Sequence, residues 1–367
     1  MQRKTHKYMA FRELEIKGTM YYPNRVIEED ANTIINSSYI KWEKLRNSCI
    51  LVTGATGLIG SMIVFGLLAA NKKFELNLTI IAFVRDKNRA FELFGKTNEK
   101  SGLKYIVGSM ESTIDIEEPI DYIIHGAGST DNTYFVSNPV ETIETSIKGS
   151  YNLLKIAWKQ HIKKFVYLST MEVYGAPAEG KLVDELYPSN LDTMSVRSSY
   201  PEAKRLVECL CASFCQEYHV PVNVVRLTQT FGPGVKGSDK RVFAEFGRCV
   251  IEKQDIVLRT NGESGRCYLY TGDAVTAILT VLLHGENGKA YNAANQETFC
   301  SIYEMAQMVA HEVAKDLIKV TISIDKEQSK KFSPKHHINL DCTRLLGLGW
   351  NPVYGLKEMY LRMIEVM

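Results

Sequence analysis

The chain of 367 residues is 45% hydrophobic and 23% charged, a composition that provides a core of ordinary size for a soluble globular protein. Its formal net charge of +2 gives no reason to expect nucleic acid as a partner, although a few local arginines suffice to bind a nucleoside diphosphate. The longest apolar runs, such as residues 275–283, are much shorter than the roughly 20 residues of a membrane-spanning helix, so no membrane partner is predicted.

Residues 1–47 are polar and mixed in character, and we expect them to form an N-terminal extension that packs on the main domain. Beyond them, short apolar runs alternate with segments of helical periodicity. The apolar runs predict strands at residues 50–52, 78–84, 122–125, 165–168 and 222–227. The intervening periodic segments predict helices, above all at residues 58–70, 140–160 and 200–218.

This alternation predicts an α/β fold. Continuous apolar strands separated by helices are typical of a parallel sheet that is buried on both faces. Right-handed crossovers then give a doubly wound, Rossmann-type sheet, which we place at residues 48–230. The regular alternation of strands and helices ends after about residue 230. We expect residues 231–367 to form a smaller, mixed C-terminal lobe that mostly binds substrate.

A glycine loop, Thr53-Gly54-Ala55-Thr56-Gly57-Leu58-Ile59-Gly60, joins the first predicted strand to the first predicted helix. Gly54 permits a tight turn, Gly57 lets the backbone approach a pyrophosphate, and Gly60 lets the helix pack closely on the strand. The helix N-terminus offers free N–H groups to phosphates. The candidate cofactor-binding residues of this loop are Gly54, Thr56, Gly57, Leu58, Ile59 and Gly60.

The tip of the second strand gives a mixed signal about the cofactor. An acidic residue there favours the ribose hydroxyls of NAD, whereas an arginine favours the extra phosphate of NADP. Asp86 lies between Arg85 and Arg89, so both cofactors stay open, with the two arginines favouring NADP. After the third strand, small residues around Ala127 let the chain pass under the cofactor, and the neighbouring His125 is expected to be a packed, hydrogen-bonded residue.

Tyr200 and Lys204 form the candidate catalytic pair. Residues four apart lie on one helix face, where a lysine ammonium lowers the pKa of a neighbouring phenol. The phenolate can then accept a proton from a substrate hydroxyl while hydride leaves the carbon. Thr170, at the carboxyl end of the fourth strand, faces the same crevice and can hydrogen-bond the same hydroxyl.

The glycine loop and these motifs, with Arg197-Ser198-Ser199-Tyr200 and Thr230-Phe231-Gly232-Pro233, resemble the extended short-chain dehydrogenase/reductases known as NAD-dependent epimerase/dehydratases, over roughly residues 48–360. The motifs are most similar to UDP-glucuronate decarboxylases and dTDP-glucose 4,6-dehydratases. The resemblance implies that Thr170, Tyr200 and Lys204 form an oxidising triad. It also implies that Glu172 acts near the sugar ring, although a surface or capping carboxylate is the alternative.

Met171 departs from the dehydratases, in which an aspartate at this position protonates the leaving water. A thioether cannot donate that proton, so 4,6-dehydration is disfavoured. Decarboxylation needs only oxidation beside the carboxylate. Epimerisation needs a base for a carbon-bound proton or rotation of a keto intermediate.

The resemblance also implies three substrate-binding residues. Arg266 matches an arginine that clamps the substrate diphosphate, which suits a guanidinium fork. Arg241 matches a position near the nucleotide, and Gln229 replaces an asparagine that touches the diphosphate or sugar; ordinary structural roles are the alternative for both. Asp273 is expected to cap a helix.

Three functions remain open. The first is an enzyme that transiently oxidises a nucleoside-diphosphate sugar, as in surface polysaccharide biosynthesis. The second is an NADPH-dependent reductase of a nucleotide-activated keto-sugar or keto-polyol. The third is a non-catalytic nucleotide-binding protein, against which the intact Tyr200 and Lys204 argue. The resemblance further implies a homodimer, with residues 140–160 and 200–218 as candidate interface helices.

The eight cysteines lack the spacing of a zinc site, including the cluster of Cys209, Cys211 and Cys215, so no metal is predicted. Unpaired thiols are typical of a reducing compartment. No long apolar stretch follows the basic N-terminus as it would in a secretory signal. These observations predict a cytoplasmic location.

Overall fold

The computed structural model describes residues 22–96, 101–112, 116, 118–128, 132–324 and 336–367. The first part of the expected N-terminal extension, residues 1–21, lies outside these ranges. The helices are α1 Arg25–Ile35, α2 Leu58–Phe74, α3 Lys87–Phe94, α4 Asn132–Ser137, α5 Pro139–Lys159, α6 Ser199–Tyr218, α7 Val242–Glu252, α8 Thr271–His284, α9 Ile302–Met308, α10 Thr343–Leu346 and α11 Leu356–Val366. The strands are β1 Cys49–Thr53, β2 Thr79–Val84, β3 Leu103–Val107, β4 Tyr122–His125, β5 Lys164–Thr170, β6 Leu182–Val183, β7 Val222–Leu227, β8 Gln229–Phe231, β9 Ile256–Leu258, β10 Gly265–Tyr270, β11 Ala290–Ala293, β12 Asn295–Ser301, β13 Val320–Ile322 and β14 His337–Leu340.

The centre of the molecule is a parallel sheet of seven strands in the order β11-β7-β5-β4-β1-β2-β3. Side chains of one strand alternate between its faces. In β1, Ile50 and Val52 pack with α2 and α8 on one face, while Leu51 packs with α5 and α6 on the other. Both faces are therefore covered, and the predicted doubly wound α/β fold is confirmed.

Two strands of this sheet were absent from the sequence prediction. β3 is an edge strand whose residues are mostly half-exposed or exposed, so its pattern lacks a continuous apolar run. β11 has only four residues, two of them alanines, and it carries the polar Asn292. Neither strand is apolar and long enough to stand out in the sequence.

The rest of the C-terminal part forms a mixed lobe. One sheet has the order β12-β10-β14-β6, with β8 paired to β10, and β13 pairs with β9. However, β11 and α8 belong to the large sheet and its helical layer, although they follow residue 230 in sequence. The lobe boundary at residue 230 stays a prediction, and the seven-stranded sheet crosses it.

Helix α1 ties the described part of the N-terminal extension to the end of the chain. Its Asp30 is fully buried and accepts hydrogen bonds from the Tyr270 hydroxyl at 2.6 Å and the Arg362 guanidinium at 2.6 Å. Arg362 also donates to the Tyr270 hydroxyl at 2.8 Å. We call Asp30, Tyr270 and Arg362 the terminal clasp, because it joins α1, β10 and α11.

Asp273 does not cap its own helix, so this expectation is wrong. The capping position of α8 is Tyr270, and Asp273 lies inside the first turn. Its buried carboxylate instead accepts hydrogen bonds from the backbone N–H groups of Val353 at 3.0 Å and Tyr354 at 3.1 Å. The residue anchors the segment that leads into α11.

All eight cysteines lie in the described ranges, and all are free thiols. In the same ranges, His, Cys, Asp and Glu side chains nowhere gather in groups of three or more that could hold a metal ion. None of the helices described above is long and apolar enough to cross a membrane.

Candidate active site

The candidate site lies where three neighbouring strands end. β1, β4 and β5 are adjacent and parallel, so the glycine loop, Ala127 and Thr170 all follow carboxyl ends at one edge of the sheet. The sheet order reverses direction between β4 and β1, which is where open α/β sheets bind their ligands. Helix α6 brings Tyr200 and Lys204 to the same edge.

The glycine loop requires glycine at two positions because a side chain there would collide with the protein backbone. Gly54 has a φ of +69°, and a Cβ there would lie 2.8 Å from the carbonyl carbon of Gly126. A Cβ on Gly60 would lie 2.1 Å from the carbonyl oxygen of Gly54. No side chain caps α2 at Gly57, so the N–H groups of its first turn are oriented toward an external acceptor such as a pyrophosphate.

The other predicted cofactor-binding residues of this edge have distinct surroundings. Thr56 is half-exposed at the turn, and Ile59 packs partly against the core under α2. Leu58 packs against the core of the C-terminal lobe. The Ala127 N–H donates to the Thr53 hydroxyl at 3.2 Å, which fixes the chain after β4 beside the glycine loop.

His125 is a buried structural residue, as expected. Its two ring nitrogens hydrogen-bond the hydroxyls of Thr53 at 2.7 Å and Ser150 at 3.0 Å. Burial lowers the pKa of its imidazole to about 3, with a smaller contribution from the charge of Lys204. The ring is therefore neutral and links β1, β4 and α5.

At the tip of β2, Asp86 is the N-cap of α3 and accepts from the N–H groups of Asn88 at 2.9 Å and Arg89 at 3.3 Å. Its carboxylate is thereby engaged by its own helix. Arg85 is exposed beside it, and Arg89 lies half-buried in the first turn of α3. These arginines lie at the β2 tip, whereas the candidate catalytic pair lies on α6.

Tyr200, Lys204 and Thr170 come together as predicted from their positions on α6 and β5. The Tyr200 and Thr170 side chains are hydrogen-bonded. Lys204 is buried, and its ammonium donates to the carbonyl oxygen of Leu168 at 2.8 Å and lies 5.9 Å from the centre of the Tyr200 ring. A phenol, an ammonium and a hydroxyl thus meet at one point of the strand edge.

The surroundings of this group oppose charge on the phenol. Burial raises the pKa of Tyr200 above its ordinary value, and the negative charge of Glu172 raises it further. The hydrogen bond with Thr170 and the charges of Arg197 and Arg241 act in the opposite direction. The balance of charges around the phenol therefore depends on these neighbouring groups.

The burial that raises the pKa of Tyr200 lowers the pKa of Lys204. Desolvation lowers the pKa of its ammonium to about 8, and the nearby charge of Glu208 acts against this shift. Glu208 is itself held by Arg226, at 2.6 Å, and by the Ser169 hydroxyl, at 2.5 Å. This pairing fixes the end of β5 against α6.

Glu172 follows Thr170 in a short 3-10 helix and forms an ion pair with Arg197 at 2.8 Å. The guanidinium of Arg197 lies 5.3 Å from the centre of the Phe135 ring. Phe135 in turn stacks on Tyr200, with ring centroids 4.5 Å apart and an interplanar angle of 10°. Phe135 was missed by the sequence analysis, because its position on α4 gives no pattern that relates it to Tyr200.

Met171 cannot act as a proton donor. Its side chain is buried in a small apolar cluster with Val173 and Cys267, and its sulfur accepts a hydrogen bond from the Thr228 hydroxyl at 3.3 Å. The position that would carry an acid in a 4,6-dehydratase is thus packed as core.

Of the predicted substrate-binding residues, Gln229 and Arg266 are brought together. The Arg266 guanidinium donates to the Gln229 amide oxygen at 3.0 Å and lies 2.6 Å from the Nε2 atom of His336. Its buried Nε has no partner in the described part of the chain. His336, which the sequence analysis missed, follows a segment without a recognisable motif.

Arg241 is held by its own loop. Its guanidinium pairs with the Asp239 carboxylate, at 2.5 Å for the closest atoms, and lies 4.8 Å from the centre of the Phe243 ring. This pairing, with hydrogen bonds from Arg241, lowers the pKa of Asp239 although its burial opposes that shift. The charge of Arg241 also reaches Tyr200, where it lowers the pKa of the phenol.

A family model described as the NAD dependent epimerase/dehydratase family matches residues 50–294. UDP-glucuronic acid decarboxylase 6 of Arabidopsis thaliana is 29% identical over 319 residues, which cover 85% of this chain and 86% of the plant enzyme. The fold is similar to UDP-glucose 4-epimerase from Thermotoga maritima, with a TM-score of 0.71, 22% identity and coverage of 87% and 98%. It is also similar to dTDP-glucose 4,6-dehydratase from Bacillus anthracis, with a TM-score of 0.69, 20% identity and coverage of 87% and 96%.

Proposed function

The chain belongs to the NAD-dependent epimerase/dehydratase family, and we propose that it transiently oxidises a sugar hydroxyl of a nucleoside-diphosphate sugar. The observation that carries this proposal is the meeting of Thr170, Tyr200 and Lys204 at the carboxyl edge of the sheet, beside the glycine loop. The burial of Lys204 next to the buried Tyr200 supports catalysis rather than nucleotide binding alone. The similarity to UDP-glucuronic acid decarboxylases supports a nucleotide-sugar substrate.

The cofactor would be held by the glycine loop, the start of α2 and the chain around Ala127. A bound nicotinamide dinucleotide would supply a hydride acceptor and a positive charge to the site. Asp86 caps helix α3, so its carboxylate is already engaged. Arg85 and Arg89 remain at the β2 tip to bind an extra phosphate, which supports a preference for NADP.

The protein residues would then move one proton. Lys204 provides positive charge close to Tyr200, and Thr170 orients the phenol by its hydrogen bond. The phenolate takes the proton of the sugar hydroxyl as the carbon is oxidised, and it returns the proton in the reverse step. Burial of Tyr200 and Lys204 keeps bulk water from competing for this proton.

The packing of Met171 supports decarboxylation or epimerisation over 4,6-dehydration. A buried thioether that accepts a hydrogen bond cannot protonate a leaving hydroxyl. Loss of carbon dioxide from a β-keto acid needs no such donor. On the substrate side, Arg266 would bind the diphosphate through its guanidinium, supported by Gln229 and His336.

The test is Tyr200→Phe, which removes only the phenol oxygen. We expect kcat for UDP-glucuronate, or for the UDP-, CDP-, dTDP- or GDP-sugar that the wild type converts, to fall by about 10²- to 10⁴-fold with little change in UDP affinity. Tyr39→Phe is the matched control, because its hydroxyl makes a surface hydrogen bond to Asn351. Near-normal turnover by Tyr200→Phe would refute the proposed mechanism.

The second candidate is a net reductase of a keto-sugar, and the exposed Arg85 favours it because reductases use NADPH. The nicotinamide absorbance of the purified protein separates the two. Cofactor that stays bound and unchanged through turnover supports transient oxidation. Cofactor that dissociates and is consumed in equal amounts with the substrate supports reduction.

We further propose a homodimer formed through α5 and α6. Their outer faces expose large apolar side chains, among them Ile143, Tyr151, Trp158, Leu206 and Tyr218. Such a patch on a protein surface marks an interaction site. Sedimentation equilibrium at micromolar concentration should give twice the 41.5 kDa mass of the chain; a monomer at all concentrations would refute this proposal.

A further inference from the structure

Arg197 stands outside the cofactor and substrate roles described above, yet it is connected to Tyr200 by two routes. The first passes through Glu172, which pairs with Arg197 at 2.8 Å and whose charge reaches the phenol. The second passes through Phe135, whose ring lies 5.3 Å from the guanidinium and stacks on Tyr200.

The aromatic route is well built. Phe135 is only 1% exposed, and its backbone carbonyl accepts a hydrogen bond from the buried Ser199 hydroxyl at 3.3 Å. Tyr200 is 7% exposed, and its ring is nearly parallel to that of Phe135. A guanidinium is a flat cation that suits an aromatic face, so Arg197 holds Phe135 on the side of the phenol.

The electrostatic route concerns the charge balance at the phenol oxygen. The charges that act on the phenol are those of Glu172 from the turn after β5, Arg197 from the turn before α6 and Arg241 from the turn before α7. The ammonium of Lys204, on α6 itself, lies 5.9 Å from the centre of the ring. Glu172 is the only anion of this set, and Arg197 is its ion-pair partner. Removing Arg197 would take away the ion-pair partner of that carboxylate and leave Arg241 as the opposing cation given by this set.

We propose that Arg197 is a positioning residue for the reaction centre, which fixes the Tyr200 phenol through Phe135 and neutralises Glu172 beside it. This inference rests on the proposed function, because it gives Tyr200 the role of general base. It gives a role to the arginine at the third position before the tyrosine.

The experiment compares the pH profile of kcat for Arg197→Gln with that of the wild type, using UDP-glucuronate or the UDP-, CDP-, dTDP- or GDP-sugar that the wild type converts. We expect kcat at neutral pH to fall by about 10- to 100-fold with KM changed by less than about 3-fold. The midpoint at which kcat rises with pH should shift upward by about 0.5 to 1 unit, since an uncompensated carboxylate disfavours the phenolate.

Three further variants separate the two routes. Arg197→Lys keeps the positive charge but lacks the planar guanidinium. The midpoint of the pH profile should therefore return toward the wild-type value, while kcat stays reduced. Phe135→Leu should lower kcat without moving the midpoint. The double variant with Glu172→Gln and Arg197→Gln should restore the midpoint, because it removes the anion as well as its partner.

Arg205→Gln is the matched control, since Arg205 forms an ion pair with Glu202 on the same helix at 3.2 Å and at similar exposure. Circular dichroism and UDP binding by calorimetry check that each variant is folded with an intact site. Should Arg197→Gln fail to fold, Glu172→Gln carries the test alone, with an expected downward shift of the midpoint.

The possible failures are distinguishable. If the wild type converts none of the sugars tested, the proposed function is refuted and this inference falls with it. If the wild type is active and Arg197→Gln has the same midpoint and kcat as the wild type, or the same changes as Arg205→Gln, the proposed function stands and the inference is refuted.

Discussion

Two ion pairs hold together distant parts of the chain, and they differ in how much water reaches them. In the terminal clasp, Arg362 and Asp30 lie 2.6 Å apart, and their side chains are 16% and 0% exposed. In the cleft of the candidate active site, Arg197 and Glu172 lie 2.8 Å apart, but their side chains are 35% and 32% exposed. The distances are alike, so burial is what separates the two pairs.

The difference has energetic and functional consequences. A charge that loses its partner inside the protein has no water to replace it, whereas one in an open cleft does. The clasp is therefore suited to a fixed structural role. The cleft pair can be rearranged by a ligand at low cost, which suits a residue that adjusts the charge around Tyr200.

The largest effect is expected for Arg362→Met, which leaves the Asp30 carboxylate buried beside Tyr270 without its cation. We expect a loss of about 3–5 kcal/mol in the free energy of unfolding, measured with denaturant. Arg25→Met is the matched control, because Arg25 also joins α1 to α11, through Glu365 at 2.7 Å, but is 71% exposed; it should lose less than about 1 kcal/mol. Equal losses in the two variants would show that burial does not set the difference.

The second largest effect is expected in how the free energy of unfolding depends on pH. Burial raises the pKa of Asp273 to about 7 and that of Asp30 to about 6. The folded protein therefore binds protons that the unfolded chain has already released, so the free energy of unfolding should decrease as pH rises from about 4 to about 7. Asp273→Asn should reduce this decrease by about 1–3 kcal/mol, since each pKa unit corresponds to about 1.4 kcal/mol.

Chemical denaturation of the wild type and of Asp273→Asn at several pH values measures this dependence. Identical slopes for the two proteins between pH 4 and 7, roughly the window set by the ordinary and raised pKa values, would contradict the role given to the buried carboxyl.

The smallest effect is expected for Glu172→Gln, which breaks the ion pair of the cleft. Because both partners are about one-third exposed, we expect the free energy of unfolding to change by less than about 1 kcal/mol. Thermal unfolding checks this value. A loss comparable to that of Arg362→Met would show that the cleft pair stabilises the fold as much as the buried pair of the terminal clasp does.

Sequence patterns predicted the parts of the fold that are locally encoded. β1, β2 and β5 carry continuous apolar runs because both of their faces are covered, and such runs stand out without a structure. The pattern fails for β11, because its place in the sheet depends on pairing with β7 rather than on its own residues. Asp273 was misread for a similar reason, since its partners Val353 and Tyr354 lie 80 and 81 residues away.

The candidate site was predictable to the extent that its residues lie in short motifs. Tyr200 and Lys204 share one helix turn, and the three glycines share one loop, so spacing alone relates them. Phe135 and His336 are brought to the site by tertiary packing, and neither has a neighbour in sequence that indicates its role. The pairing of Arg241 with Asp239 was visible only in the structure, although the two residues are close in sequence.

The late position of β11 also affects how the chain can be made. During synthesis β7 is complete long before residues 290–293 leave the ribosome, and its edge then has no partner in the sheet. Unpaired strand edges in partly made chains are sites of aggregation. The seven-stranded sheet can therefore be completed only after residues 228–289, which separate β7 from β11 in sequence, have been synthesised, and this interval is the stage at which a chaperone would be most needed.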